Sequence, residues 1–168
     1  MTLPLDGLPA EPPPGPQVLR VFVPGRPAPQ GSKRAIVHKQ SGKAITMESS
    51  KAVKPWRADV RQALVDDAGQ PVVRIAGAIV VTLEFVLPRP KYLARKATPP
   101  HTKAPDVDKL VRSTFDAITS AGVWADDACA VRIDASKRYA ENDEATGCHI
   151  HLQAATSGPI HVAEEVRA

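Results

Sequence analysis

Two short segments of this chain carry four aspartates at close spacing: APDVDKL at residues 104–110 and WADD at residues 124–127. The proline in the first segment disfavours a helix before it, and Asp106 then stands at the position of a helix N-cap. Apolar residues recur at helical spacing until Gly122, and glycine commonly follows the last turn of a helix. The pattern predicts a helix over residues 106–121 that begins at the acidic segment.

The predicted helix has one apolar face and one polar face. The apolar residues are spaced by three or four positions and are Val107, Leu110, Val111, Thr114, Ile118 and Ala121. The polar residues are Lys109, Arg112, Ser113, Asp116 and Ser120. Residues two apart point in different directions on a helix, so Asp106 and Asp108 can converge only at its irregular first turn. We therefore expect both aspartates at the exposed start of a helix whose other side is buried.

A second acidic pair, Asp126 and Asp127, follows the helix and precedes an apolar run at residues 130–133. The start of this run can return the chain beside the start of the helix. Hard cations such as Mg²⁺ take oxygen ligands, usually a few carboxylates plus waters, so these aspartates predict a metal site. Two such ions can activate a water and stabilise the leaving oxygen of a phosphodiester. The alternative is that the carboxylates only complement a helix dipole and form a turn.

A family resemblance rests on three segments: PDVDKL at residues 105–110, FDAI at residues 115–118 and GVWADD at residues 122–127. In order, spacing and residue type they resemble the signature of the RusA family of Holliday junction resolvases, which is common in phages and prophages. Outside the signature, GRPAPQGSKR at residues 25–34 resembles the opening of phage-type members, and residues 131–139 resemble the strand after the acidic pair. The similarity extends over about residues 18–152.

The resemblance implies a small homodimeric α/β endonuclease that cuts four-way DNA junctions with Mg²⁺, or with Mn²⁺ in its place. By position, Asp106, Asp108 and Asp127 match the three essential metal-binding aspartates of the family. Asp126 matches a neighbouring acidic position, and we include it among the candidate metal ligands. The resemblance thus predicts one set of these residues in each protomer.

One position departs from the family pattern. The family has a catalytic lysine one helical turn after the second aspartate, where this chain has Arg112. Lys109 directly follows the second aspartate, so we expect Lys109 and Arg112 to share the catalytic positive charge. Because arginine does not readily release a proton, Arg112 is expected to stabilise charge and not to act as an acid or base.

The 168 residues fit one domain, with residues 18–153 as the endonuclease domain. Residues 1–17 are crowded with proline and poor in core-forming residues, which predicts a disordered arm, and residues 154–168 are expected to form a loose tail. No apolar run is long enough to span a membrane, and the N-terminus lacks the features of a signal peptide, so we expect a cytoplasmic protein in a bacterial cell. Two cysteines without a zinc-binding pattern are expected to stay reduced.

Positive charge is concentrated in the first part of the chain, although the net charge is only +4. Residues 18–61 hold ten lysines and arginines against two acidic residues, whereas residues 105–144 hold nine acidic residues against five basic ones. This arrangement suits a metal-dependent nuclease, because cations hold phosphates and carboxylates hold the metal. The candidate DNA contacts are Lys33, Arg34, Arg57, Arg61, Lys103, Lys137 and Arg138. The alternative is an ordinary solvated basic surface.

Apolar alternation and turn residues predict an α/β fold with a mixed sheet of about five strands and two main helices. The expected strands cover residues 19–23, 35–38, 44–47, 76–87, 131–139 and 147–153, of which the second and third form a hairpin. The first helix is expected over residues 55–66, with Trp56 in the core. Glu84 is a further candidate metal ligand, against the alternative of an ordinary exposed strand residue. The basic loop at residues 89–104 is expected to close over the junction arms, unless it is a disordered insertion.

These observations predict a Mg²⁺-dependent, structure-specific endodeoxyribonuclease that resolves four-way DNA junctions by paired phosphodiester hydrolysis in recombination and repair. Its expected partners are branched DNA and a second copy of the chain, with no membrane. No small-molecule cofactor is expected, because the sequence contains no nucleotide-binding motif. No Ser-His-Asp order supports a covalent nucleophile. Two alternatives stay open: a branched-DNA binding protein with weak or no cleavage, which Arg112 makes conceivable, and a metal-dependent nuclease of broader substrate range.

Overall fold

The computed structural model describes residues 18–31, 51–93 and 97–155 in full and the backbone alone at residues 33–37 and 44–48. These residues form strands, two α-helices and two short 3₁₀ turns. In chain order the elements are β1 (Val18–Pro24), β2 (Lys33–Val37), β3 (Ala44–Glu48), α1 (Val53–Ala63), β4 (Ile79–Leu87), a 3₁₀ turn (Lys91–Leu93), α2 (Val107–Ala121), a second 3₁₀ turn (Asp127–Cys129), β5 (Ala130–Tyr139) and β6 (Gly147–Ala154).

Four strands form one mixed sheet in the order β1-β6-β4-β5. β4 runs antiparallel to β6 and parallel to β5, and β1 runs antiparallel to β6. A parallel pair needs a crossover connection, and α2 lies in the connection between β4 and β5. The predicted α/β fold with a mixed sheet and two helices is confirmed. The large sheet has four strands and not about five, because β2 and β3 pair with each other in a separate two-stranded sheet.

The central strand β4 shows which face of the sheet the helices cover. Its alternate side chains are buried in the main core, and they are Ile79, Val81, Leu83, Phe85 and Leu87. Neighbouring side chains of a strand point to opposite faces, so Glu84 lies on the face away from this core. The same alternation in β5, read from its register with β4, places Lys137 on the helix side and Arg138 on the far side.

The two helices pack on each other and on the same face of the sheet. Trp56 of α1 is 1% exposed, and its Nε1 donates to Thr114 Oγ1 of α2 at 3.2 Å. The prediction that Trp56 belongs to the core is therefore confirmed. α1 begins at Val53, two residues before the predicted start at Pro55, so the proline lies within the first turn, where its missing N–H has no helical partner to lose.

α2 begins and ends where the sequence predicts. Asp106 is the N-cap, and the helix ends before Gly122, whose φ of 77° is in the left-handed region that glycine adopts readily. One expectation for this helix is wrong, because Ser113 is fully buried and not on the polar face. Its hydroxyl donates to the carbonyl oxygens of Ala28 and Leu110 at 2.7 and 2.9 Å. These bonds compensate the burial of a polar group and fasten the loop after β1 to α2.

Several expectations fall on segments outside the described residues, namely the arm at residues 1–17, the hairpin turn at residues 40–42 and the tail from residue 156 onward. The division into arm, domain and tail therefore stays a prediction. In the ranges that the structure does describe, no helix has the length and apolar character needed to cross a membrane. Cys129 and Cys148 are both free thiols.

Candidate active site

Asp108 and Asp127 face the same surface pocket, together with Arg112. The pocket has a volume of about 500 Å³, and we call it the acid pocket. Its other lining residues are Val111, Phe115, Ala128 and Ile133. Asp108 and Arg112 are one turn apart on α2, whereas Asp127 begins the 3₁₀ turn before β5. Two carboxylates and one guanidinium group thus converge from two segments.

The connection between α2 and β5 returns Asp127 along the helix. The axis of α2 advances about 20 Å between Asp108 and the last helical residue. Residues 122–125 form a turn and bends, and the chain comes back beside α2 where Arg112 and Phe115 line the acid pocket with Asp127. Trp124 in this connection packs edge-on against Phe115 of α2, with ring centroids 5.1 Å apart. The packing of this tryptophan holds the returning chain against the helix.

Asp106 lies at the N-cap of α2, but its side chain makes no capping hydrogen bond. Its carboxylate instead pairs with Lys109 Nζ at 2.9 Å. The hydrogen bond and charge of Lys109 lower the pKa of Asp106, and the pKa of Lys109 is raised in turn. Asp106 does not line the acid pocket. The structure brings Asp108 and Asp127 together and leaves Asp106 on the exposed first turn.

The two adjacent aspartates before β5 have different surroundings. Asp126 is the N-cap of the 3₁₀ turn, and its Oδ1 accepts a hydrogen bond from the Ala128 backbone N–H at 2.8 Å. Asp127 lines the acid pocket. The first carboxylate therefore shapes the turn that presents the second, which is the turn-forming role that the sequence left open for this pair.

The donor set of the acid pocket suits a hard divalent cation. In the described part of the chain, no three histidine, cysteine, aspartate or glutamate side chains form a cluster that could hold a metal ion. Mg²⁺ does not need such a cluster, because it usually keeps several waters and binds through one or two carboxylates together with substrate phosphates. The carboxylate oxygens of Asp108 and Asp127 fit Mg²⁺ or Mn²⁺ on this basis.

Of the two cations expected to share the catalytic charge, only Arg112 lines the acid pocket. It is exposed, and its guanidinium group carries a permanent charge with several N–H donors that match phosphate oxygens. Lys109 is paired with Asp106. The geometry therefore separates the two cations, with Arg112 beside the carboxylates of the pocket and Lys109 beside the N-cap.

Arg138, a candidate DNA contact, lies between two carboxylates on the far face of the sheet. It donates to Glu84 at 2.7 Å and to both oxygens of Glu144 at 2.6 Å. The hydrogen bonds from Arg138 lower the pKa of Glu144 to about 2. The pair therefore stabilises the fold fully above the pH at which a free glutamate ionises, and this contribution is lost as the pH falls from there to about 2. The hypothesis that Glu84 binds the metal is wrong, because it holds Arg138 on the face away from α2.

The other candidate DNA contacts differ in their surroundings. Arg57 forms an ion pair with Asp116 of α2, and this pair joins the two helices. Arg61 and Lys103 are exposed. Lys33 and Arg34 begin β2, and their side chains lie outside the described residues. DNA binding by these residues, and by Arg138, stays a prediction.

The family profile described as Endodeoxyribonuclease RusA matches residues 24–151, which is most of the chain. The chain belongs to the RusA endodeoxyribonuclease family. The matched range contains both aspartate segments and every residue of the acid pocket, and the resemblance predicted from the signature is confirmed. No curated protein matches the chain.

Lys137, which the sequence placed among the DNA contacts, is bound to backbone groups of the chain. Its Nζ donates to the carbonyl oxygens of Lys103 and Pro105 at 2.7 Å each. These two carbonyls belong to the segment that leads into Asp106. Sequence patterns gave no signal for this role, because the partners are more than thirty residues away and are backbone groups. Lys137 thereby fixes the approach to the first turn of α2.

We expect Lys137→Met to raise the Mg²⁺ concentration needed for half-maximal cutting by a larger factor than it weakens junction binding. Loss of hydrogen bonds from a charged donor typically weakens a structure by about 1.5–3 kcal/mol, which is enough to loosen the first turn of α2. A Mg²⁺ titration of cleavage beside a binding titration measures both effects. The exposed Lys54→Met is the matched control. Weaker junction binding with an unchanged Mg²⁺ midpoint would instead support the phosphate contact predicted from sequence.

Proposed function

We propose that this chain is a Mg²⁺-dependent endodeoxyribonuclease that resolves four-way DNA junctions by paired phosphodiester hydrolysis in recombination and repair. The observation that carries the proposal is the convergence of Asp108, Asp127 and Arg112 at one pocket in a member of the RusA family. The proposal places the protein in the cytoplasm with its DNA.

In this proposal Asp108 and Asp127 hold the divalent ion, Mg²⁺ or Mn²⁺. Such an ion, when bound, supplies an activated water and stabilises the leaving oxygen of the phosphodiester. Asp106 would add a third carboxylate by turning its exposed side chain away from Lys109. Lys109 and a metal ion would then compete for this carboxylate. Asp126 supports the site from outside by holding the turn that presents Asp127.

Arg112 would bind the phosphate that is cut and stabilise the charge that develops on it. A guanidinium group is suited to this task because it stays charged and donates two parallel hydrogen bonds to phosphate oxygens. Asp108, one turn earlier on α2, carries the opposite charge beside it. The pocket therefore offers a cation for the phosphate and carboxylates for the metal within one helical turn.

DNA binding outside the acid pocket would rely on exposed cations that are not bound to other groups of the chain. Of the candidate DNA contacts with described side chains, Arg61 and Lys103 meet this condition, and we keep Lys33 and Arg34 as candidates on sequence grounds. Arg57, Lys137 and Arg138 are engaged by other groups of the chain, so their substitution would disturb the fold as well as any phosphate contact. Such contacts weaken as salt concentration rises.

The substrate suggests a two-fold assembly. Resolution of a four-way junction requires nicks in two opposing strands, and a symmetric dimer presents two identical acid pockets to a two-fold substrate. We expect a homodimer that survives dilution, and mixtures of wild-type with excess Asp108→Asn protein should nick a supercoiled cruciform once and then stall. A monomer in sedimentation both on and off DNA, or paired cuts by the mixed protein within one binding event, would contradict the two-site account.

A branched-DNA binding protein with weak or no cleavage is the second candidate. One observation favours it: arginine stands where the family has its catalytic lysine. A nuclease of broader substrate range is the third candidate function for the same site.

The test is incubation of a labelled four-way junction, a fork and a linear duplex with and without Mg²⁺. We expect symmetric nicks in the junction that depend on Mg²⁺, with little cutting of linear duplex, because only the branched substrate fits two sites at once. Tight junction binding without cutting at any Mg²⁺ or Mn²⁺ concentration would support the binding protein. Comparable cutting of all three substrates would support the broader nuclease.

A further inference from the structure

A second opening lies next to the start of α2 and shares no residue with the acid pocket. It has a volume of about 770 Å³, which is in the range of sites that hold nucleotide-sized ligands. We call it the aromatic groove. The lining residues that matter here are Arg26, Pro90, Tyr92, His101, Lys103 and Tyr139.

Hydrogen bonds to the backbone fix the walls of the aromatic groove. Arg89, whose side chain is 11% exposed, donates to the Leu93 carbonyl oxygen at 2.9 Å and so holds the turn that carries Tyr92. Lys137 holds the wall that leads into α2, and Ser113 holds the wall formed by the loop after β1. A groove fixed in this way does not have to be ordered when a ligand binds, which favours affinity.

The chemistry of the groove matches the parts of a nucleotide. Tyr92 is 61% exposed and offers a ring for stacking, and His101 lies against Tyr139 with ring centroids 4.2 Å apart. Arg26 and Lys103 supply positive charge for a phosphate. Aromatic faces combined with cations are the usual features of sites for unpaired nucleotides.

We propose that the aromatic groove holds one unstacked nucleotide of the branched DNA, close to the strand that is cut. The inference rests on the proposed function, because it takes branched DNA as the substrate. The lining of the groove reaches Pro105, the residue before Asp106, so an occupant would lie next to the first turn of α2. A base at a branch point has lost stacking on one side, and removing it from the helix costs less than removing one from within a duplex. The groove would thus select the branch and discriminate between bases there.

Photocrosslinking tests where an unstacked base binds. Four-way junctions carry a single iododeoxyuridine at successive positions from the branch into each arm, and the wild-type protein binds them with chelator present so that strands stay intact. We expect crosslinks to Tyr92, or to another groove residue, from positions at the branch and not from positions within the arms. Crosslinks that avoid the groove, or that form equally from branch and arm positions, would overturn the proposal.

Variants of Tyr92 provide a second measurement. Because this side chain is exposed, its variants should keep the fold, which a melting curve checks. Tyr92→Ala should bind the junction about tenfold more weakly, the scale of one lost base-stacking contact, and should lose the crosslink. Tyr92→Phe keeps the ring and should retain both binding and crosslink. Wild-type affinity in the Tyr92→Ala protein would overturn the proposal.

The same preparations separate this inference from the function on which it rests. If the wild-type protein cuts the junction with Mg²⁺ but gives no branch-specific crosslink in the groove, the nucleotide site is wrong and the proposed function stands. If the wild-type protein cuts no branched DNA, the proposed function fails whatever the crosslinks show. The exposed Val72→Ala serves as the control for substitution of an apolar surface residue, with wild-type values expected in both measurements.

Discussion

Asp108→Asn is expected to abolish cutting of four-way junctions while junction binding stays intact or becomes tighter. The substitution removes one of the two carboxylates that line the acid pocket but keeps the size of the side chain. Cutting should fall by about 10³-fold, the upper range for loss of one preorganised electrostatic group. Binding should not fall, because one negative charge that repels the DNA phosphates has been removed. Cleavage and gel-shift titrations at saturating Mg²⁺ measure the two effects.

The same loss is expected for Asp127→Asn and Asp106→Asn, whereas Asp126→Asn should be milder because its carboxylate holds a turn. Asp134→Asn is the matched control, since this aspartate is exposed on the far face of the sheet. Full cutting by Asp108→Asn would remove that residue from the site. A complete loss in Asp126→Asn would show that the acidic pair is divided wrongly between turn and metal.

Arg112→Ala is expected to lower cutting by about 10²-fold or more, the scale of removing one electrostatic donor to the transition state. Arg112→Lys should keep much of the activity, because it preserves the charge although not the paired donors. The comparison uses cutting rates at saturating junction, so that changes in binding do not enter. An equal loss in Arg112→Lys would show that donor geometry and not charge alone is required.

Lys109→Ala shows whether the catalytic charge is shared. We expect it to be impaired as well, since Lys109 neutralises Asp106 at the start of α2. If Lys109→Ala cuts at the wild-type rate and Arg112→Ala is inactive, the catalytic charge belongs to Arg112 alone. The reverse result would move the role to Lys109.

Local patterns were sufficient to predict α2 and its position at the site. Its N-cap, its apolar stripe and Gly122 are all read within a few residues of one another, and the structure has them where the sequence places them. Asp108 was likewise expected at the first turn. The apolar run after Asp127 was expected to return the chain beside the start of α2, and the structure has Asp108 and Asp127 at the same pocket.

The features that the sequence did not show depend on contacts between distant segments. The sequence pattern places Ser113 on the surface, but its hydroxyl bonds the carbonyl oxygen of Ala28, eighty-five positions earlier in the chain. Lys137 and Arg138 both read as free cations, yet one holds backbone carbonyls before Asp106 and the other holds two glutamates. Strand order also depends on contacts between distant segments, because no local pattern tells whether a hairpin joins the larger sheet.

Replacement of Mg²⁺ by Fe²⁺ shows whether Asp108 and Asp127 together hold the divalent ion. Bound Fe²⁺ with ascorbate and peroxide generates radicals that cut the polypeptide next to the metal, and mass spectrometry locates the cuts. If these two carboxylates hold the ion, cuts will lie beside Asp108 and Asp127, and both excess Mg²⁺ and Asp108→Asn will suppress them. Cuts confined to other parts of the chain, or an unchanged pattern in the Asp108→Asn protein, would contradict it.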